Sequence, residues 1–281
     1  MNELIDILHS ISYPGNPYSV ITGRSSVRKF ENSPLNAPEL QFLGERVEEV
    51  NALCHGTVRT ALAPCGLTGN DHTFRPSTYG IIQNPQAFML MAFDPADPVA
   101  NFMAGAAMET AVLKASVAGI GTCWFGGTFR QSTFKEAAKV IEDAGHRIVI
   151  AVACGIASGK QSLIEKIERR IVKSDSRLPF STLFAAEPGQ SFGSYKKPLS
   201  MMRLAPSSLN QQPWRAVMHG DTISFYCTKS THKAMIDMGI ALAHFQLCAN
   251  HDGLQLDWED KHPVTGDDVK GMHYVISCRS L

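Results

Sequence analysis

Twenty residues near the middle of this chain recur 134 positions later with the same landmarks. The segment 105–124, GAAMETAVLKASVAGIGTCW, lies without gaps over 239–258, GIALAHFQLCANHDGLQLDW. Gly105 falls on Gly239, Ala107 on Ala241, Leu113 on Leu247, Ala115 on Ala249, Gly119 on Gly253 and Trp124 on Trp258. Each copy reads as a buried Ala- and Leu-rich helix, stopped by a glycine, after which the chain re-emerges toward a tryptophan. Two unrelated Ala-rich helices would share composition, but the shared stop and the shared Trp favour duplication. Small residues at helical spacing also let two such helices pack closely.

Strand candidates flank both helices, at 86–93 and 147–154 for the first and at 215–218, 222–227 and 273–278 for the second. Both halves are therefore expected to be mixed α+β around one central helix. The segment 185–198, AAEPGQSFGSYKKP, has the Gly, Pro and Ser content of a connector. It divides the chain into an N-terminal part, 1–184, and a C-terminal part, 199–281. The apolar runs AFMLMAF (87–93) and IVIAVAC (148–154) are strand-sized and too short to cross a bilayer.

Lys plus Arg and Asp plus Glu both total 26, so no global field steers the chain toward nucleic acid or an anionic membrane, and any anion must be met locally. The opening MNELIDILHS has no long apolar run, which argues against a signal peptide and for a cytoplasmic protein. Seven cysteines, at 54, 65, 123, 154, 227, 248 and 278, never form a CxxC pair. They are expected as small apolar core residues in a reducing compartment, with no disulfide framework and no zinc site. His55, beside Cys54, reads as a loop histidine.

Three polar sites stand out. In GRSSVRKF (23–30), an extended backbone would project Arg24, Ser26 and Arg28 on one face, a grip for a phosphate dianion. The same pattern also suits a solvated basic strand edge. In GTCWFGGTF (121–129), Gly126 and Gly127 let backbone N–H groups approach a flat ligand, or simply make a turn. The second copy has Asp260 and Lys261 at those positions, so only one half has the glycine pair. Arg177 in SDSRLPF (174–180) is by itself an ordinary loop arginine. The late stretch RLAPSSLNQQPWRAVM (203–218) crowds short polar groups into a loop before an apolar run. No Walker A or GxGxxG fingerprint occurs.

Together, ITGRSSVRKF, AGIGTCWFGG, SRLP and APSSLNQQPW resemble the FMN-dependent nitroreductases, whose members carry an RxSxR motif followed by PSSxNxQPW. The whole chain resembles the long single-chain TM nitroreductase type, in which two nitroreductase-like halves are fused into an intrachain pseudo-dimer. Ordinary members are homodimers with the flavin at the subunit interface. In this sequence the first half has RxSxR, the Gly pair and SRLP, with NALCHGTVRT roughly where PSSxN is expected. The second half has PSSxN and no RxSxR. The resemblance thus implies one site from complementary fragments, and a monomer.

Position by position, the resemblance assigns Arg24, Ser25, Ser26, Arg28 and Arg177 to the phosphate and ribityl end of FMN. It assigns Gly126 and Gly127 to the N5 and O4 edge, and Pro206, Ser207, Ser208 and Asn210 to the opposite side of the ring. No protein acid or base is required. The implied activity is electron transfer from NAD(P)H to a small acceptor such as a nitroaromatic, quinone or enone. A flavin store or sensor without turnover, and a purely structural α+β protein, are the competing readings.

Overall fold

A computed structural model describes residues 2–65, 82–126, 134–159, 176–261 and 269–281. In chain order the elements are helices α1 (Asn2–Ser10), α2 (Pro17–Gly23) and α3 (Ala37–Cys54), then strands β1 (Arg59–Pro64) and β2 (Ala87–Phe93). Helix α4 (Pro98–Val117), β3 (Gly121–Gly126), α5 (Lys135–Ile141) and β4 (Arg147–Gly155) follow. The later elements are α6 (Phe180–Leu183), β5 (Phe184–Ala186), α7 (Lys196–Met202), β6 (Trp214–His219), β7 (Thr222–Cys227), α8 (His232–His251), β8 (Leu256–Glu259) and β9 (His273–Ser280). The five strands expected from sequence are all present, within two residues at most ends.

The chain groups into two compact units, Gly23–Pro95 with Ala111–Ser174, and Met1–Thr22 with Ala96–Thr110 and Asp175–Leu281. The first holds a sheet in the order β1-β2-β4-β3, antiparallel throughout. Strand β2 is buried along its whole length because β1 and β4 flank it, which explains its unbroken apolar run. One core cluster joins Phe88, Leu90 and Ala153 to Phe125, Phe134 and Ile148, with Phe88 edge-on to Phe134 at 5.2 Å.

The second unit holds the order β5-β6-β7-β9-β8, with β5 parallel to β6 and the other pairs antiparallel. The segment 185–198 contributes to β5, to a 3-10 turn at Gly193–Tyr195 and to the start of α7, and it buries Tyr195 and Pro198. Phe225, Phe245 and Trp258 form an aromatic cluster with centroids 5.1 to 6.1 Å apart.

The 134-residue offset recurs in backbone detail. Leaving β5 and α5 aside, both sheets are built as strand, strand, helix, strand, strand and arranged with the last two exchanged. The pairing register slips between Met91 and Ala92 in β2, and again between Phe225 and Tyr226 in β7. Asp97 caps α4 through the Val99 N–H at 2.8 Å, and Thr231 caps α8 through the Ala234 N–H at 3.2 Å. Both helices end alike, with Gly119 at φ 80° and Gly253 at φ 75°. The next amide then reaches back, Ile120 to Ala115 O and Leu254 to Ala249 O, each at 2.9 Å.

Within the second unit, the first turns of α4 cross α8 at backbone contact. A Cβ on Gly105 would fall on the carbonyl oxygen of Ile236, and a Cβ on Gly239 would fall on that of Phe102. The contact is reciprocal, because Phe102 and Ile236 are themselves 134 residues apart. Just beyond it, the fully buried Glu109 and His244 meet at 2.9 Å, Oε1 to Nε2. All seven cysteines are free and buried. Among the described residues no helix is long and apolar enough to cross a membrane.

An Ala for Gly exchange in a helix interior ordinarily gains about 0.5 to 1 kcal/mol. Here Gly105→Ala and Gly239→Ala are each expected to cost about 2 to 3 kcal/mol by forcing the helices apart. Urea unfolding of the two variants measures this, and a gain at either position would contradict the close crossing.

Candidate functional site

The 203–218 loop is held in an unusual backbone. Leu209 (φ 51°), Asn210 (φ 53°) and Gln212 (φ 48°) all lie in the left-handed region, where a side chain costs roughly 1 to 2 kcal/mol, less for Asn. Strain of this kind persists only where the surroundings overdetermine it. The supports are hydrogen bonds from several directions. The Gln212 N–H donates to Ser207 Oγ at 2.9 Å, and the amides of Asn210 and Gln211 donate to the carbonyls of Ser207 and Ser208. Gln212, only 3% exposed, accepts from the Leu178 N–H at 2.8 Å and donates to the Asn210 carbonyl at 3.2 Å. The Ser208 N–H donates to both carboxylate oxygens of Asp237, each at 3.1 Å.

Arg177 joins this loop. Its guanidinium donates to Asn210 Oδ1 at 3.3 Å, to the Leu204 carbonyl at 3.1 Å and to its neighbour Ser176 O at 3.0 Å. The Asn210 amide donates in turn to Ser176 O at 2.9 Å. Sequence reasoning placed Arg177 with RxSxR at a phosphate; the structure brings it to Asn210, 33 residues further along.

The RxSxR stretch lies in the other compact unit as an extended strip beside β3. Ser26 pairs in parallel with Thr122, and the Val27 N–H donates to Thr122 O at 2.9 Å. Further on, Gln83 and Arg28 are joined by a 2.8 Å backbone bond, and Glu31 donates to Ile156 O. This close approach requires Gly121, since a Cβ there would sit 2.8 Å from the Val27 side chain. Arg24 is half-buried, and its Nε and Nη1 are shut off from solvent with no hydrogen-bond partner among the described residues. Ser25 is exposed, Ser26 and Arg28 are half-buried, and Gly126 closes β3 opposite Ile150 with its surface open. The pairing of Ser26 with β3 therefore brings RxSxR and the Gly126 strand onto one sheet edge. Gly127 lies outside the described residues.

The family described as "Putative TM nitroreductase" matches residues 16–249. The chain belongs to this family. A nitroreductase of Thermotoga maritima, itself titled putative, superposes with a TM-score of 0.57 at 16% identity, covering 95% of this chain and 94% of that one. The mixed α/β fold is thus nitroreductase-like. A nitroreductase with bound FMN from Bacteroides fragilis aligns at 17% identity over 53% of this chain and 92% of its own, with a TM-score of 0.40. A nitroreductase with bound FMN from Desulfitobacterium hafniense does so at 19% over 53% and 93%, also with a TM-score of 0.40. No curated protein matches the sequence.

Two residues of the loop site escaped sequence reasoning. Gln212 stands inside the PSSLNQQPW motif, and a glutamine before a Pro-Trp pair gave no sign of being buried. Asp237 had a clearer signal: it is the lone acid in MIDMGIALAHF (235–245), an otherwise apolar stretch of α8. Burial pushes its carboxyl up to about 7, against the opposing pull of the Ser208 N–H and Lys233.

Gln212→Ala removes the acceptor for Leu178 and the donor to Asn210 together. A loss of about 1 to 3 kcal/mol is expected, with faster amide exchange confined to 176–180 and 206–213. Exchange spread evenly over the chain would show that Gln212 supports the whole unit and not the loop.

Proposed function

We propose that this chain is an FMN-dependent oxidoreductase that passes electrons from NAD(P)H to a small acceptor, of the nitroaromatic, quinone or enone kind. The observation that carries the reading is Arg24. A guanidinium whose Nε and Nη1 are buried with no partner among the described residues is a costly arrangement unless an anion completes it. It lies in an RxSxR segment whose flanking strand carries Gly126. A phosphate monoester with a flat ring attached fits that donor set.

In this reading Arg24, Ser25, Ser26 and Arg28 hold the phosphate and ribityl chain. Backbone N–H groups of Gly126 and Gly127 face the ring's reactive edge, where the absence of a Cβ permits approach. Pro206, Ser207, Ser208 and Asn210 serve the same flavin from the other residue group, with Arg177 acting through Asn210. When bound, the flavin supplies the redox chemistry by taking up and giving back a hydride, and the protein supplies binding, orientation and the donors that stabilise charge.

The pseudo-dimer is the second part of the proposal, with halves 1–184 and 199–281 joined through 185–198. Support comes from the shared 134-residue offset in caps, register slips, strand order and reciprocal glycine contacts. Reciprocity of this kind is what a two-fold interface produces. One chain then does the work of a homodimer while carrying one set of flavin contacts. A monomer in a reducing cytoplasm fits the seven free cysteines.

Flavin released by denaturation is expected at a ratio near one per chain, and a ratio near two would overturn the complementary-halves reading. Oxidation of NADH or NADPH with a panel of acceptors tests turnover, and bound flavin with no turnover would leave only a binding protein. Arg24→Ala is expected to weaken FMN binding roughly tenfold or more, the equivalent of one charge-assisted hydrogen bond. Riboflavin affinity should change less than about twofold, and an equal loss for both ligands would make Arg24 structural.

A further inference from the structure

Asp237 stands on α8, is 6% exposed, and spends both oxygens on one backbone N–H, that of Ser208 at 3.1 Å each. That N–H opens the turn Ser208–Asn210, within which Leu209 and Asn210 hold their left-handed backbone. No other carboxylate accepts a bond from the 206–212 backbone among the described residues. An acid buried in an apolar helix is costly, and hydrogen bonding one amide does not by itself justify it.

We propose that Asp237 is the positioning residue of the 206–212 loop, its carboxylate anchoring Ser208 so that Leu209 and Asn210 keep the shape that receives flavin. The inference rests on the FMN reading given above for the ligand, but not for the anchoring itself. Asp237 acts through the Ser208 backbone and takes no part in electron transfer.

The anchor is strongest when the carboxylate is ionised, because a charged acceptor holds an N–H more tightly than a neutral acid. Its titration near neutrality makes it adjustable. The groups facing it are few. Lys233 lies one turn earlier on α8, and the Cys227 thiol at the end of β7, raised by its own burial, stays neutral near pH 7. The loop offers backbone only, and the α4 residues at the glycine crossing, Phe102, Gly105 and Ala106, carry no titratable group.

Stability runs the other way. The folded acid is protonated up to about 7, whereas an unfolded Asp releases its proton near 4, so this group's contribution is present below about 4 and is lost as pH rises toward 7. Ionised Asp237 thus weakens the fold while it firms the loop. A residue kept only for stability would show the opposite pairing.

Titration of wild type and Asp237→Asn with riboflavin across pH 5.5 to 8.5 tests this. Riboflavin is used because the second proton of a phosphate monoester leaves near pH 6 and would add its own profile. Wild type is expected to bind several-fold more tightly at the alkaline end. The Asn variant should be flat across the range and at least about fivefold weaker than wild type at pH 8. Its flavin-free form should melt no lower than wild type at that pH. An Asn variant that keeps the wild-type pH profile, or loses affinity only in step with a lowered melting temperature, overturns the proposal. If wild type binds no flavin at any pH, the FMN reading fails separately. The anchor is then decided by Ser208 amide exchange in the flavin-free chain, corrected for the intrinsic rate. Protection that rises with pH in wild type and not in Asp237→Asn supports the anchor, and identical profiles overturn it.

Discussion

The close crossing of α4 and α8 is the constraint on which the second unit depends. Two helices reach backbone contact only where neither has a side chain in the way, and here Gly105 and Gly239 remove the obstacle on both sides. Around them the helices are apolar on nearly every face, from Phe102 to Val112 and from Met238 to Ala249, as befits helices surrounded by protein. Of the buried polar groups within these stretches, Glu109 and His244 join the two helices. The His244 Nδ1 lies 3.2 Å from the Met201 carbonyl, which can only accept, so that nitrogen carries a proton. The His244 Nε2 meets Glu109 Oε1 at 2.9 Å, so the imidazole ties α8 both to α4 and to the Met201 backbone. A hydrogen-bonded pair is tolerable at such depth, and it fixes the register of two helices that sliding apolar surfaces would leave free.

Fixing that register matters because α8 carries Asp237 within the crossing, between Ile236 and Gly239. The loop at 206–212 takes its position from an acid on α8, from Gln212 against the Leu178 backbone, and from Arg177 against Asn210. None of these is a long-range charge effect. Each is a short bond to a backbone or amide group, and together they offset the left-handed backbone of three residues. The Arg24 nitrogens are the contrasting case, buried polar groups with no hydrogen-bond partner among the described residues.

Much of the fold was legible because its signals are local. Continuous apolar runs marked β2 and β4, and Gly119 and Gly253 marked helix ends that are now seen to be bonded identically. Register slips and reciprocal contacts were not legible, since they arise from pairing between distant segments. Of the site, sequence marked the RxSxR strip and the PSSLN loop as candidates but did not show the bonds of Arg177, whose partners Asn210 and Leu204 are 33 and 27 residues away. Asp237 and Gln212 were missed because their roles depend on which backbone amide they meet, and an isolated acid or amide in a sequence does not say.

The two copies also differ in an instructive way. Several features that shape the scaffold recur at 134 residues: the helix caps at Asp97 and Thr231, the glycine stops, and the slips in β2 and β7. What carries polar chemistry does not recur. Glu109 and His244 have Ala243 and Thr110 as their counterparts, Asp237 has Met103, and the Gly126–Gly127 pair has Asp260 and Lys261. Backbone geometry is set by many cooperating contacts, so a duplicated scaffold resists change at each of them. A polar side chain needs one specific partner, and a copy that lacks the partner gains nothing by keeping the group and bears its desolvation cost if buried. Divergence therefore falls on the polar groups first.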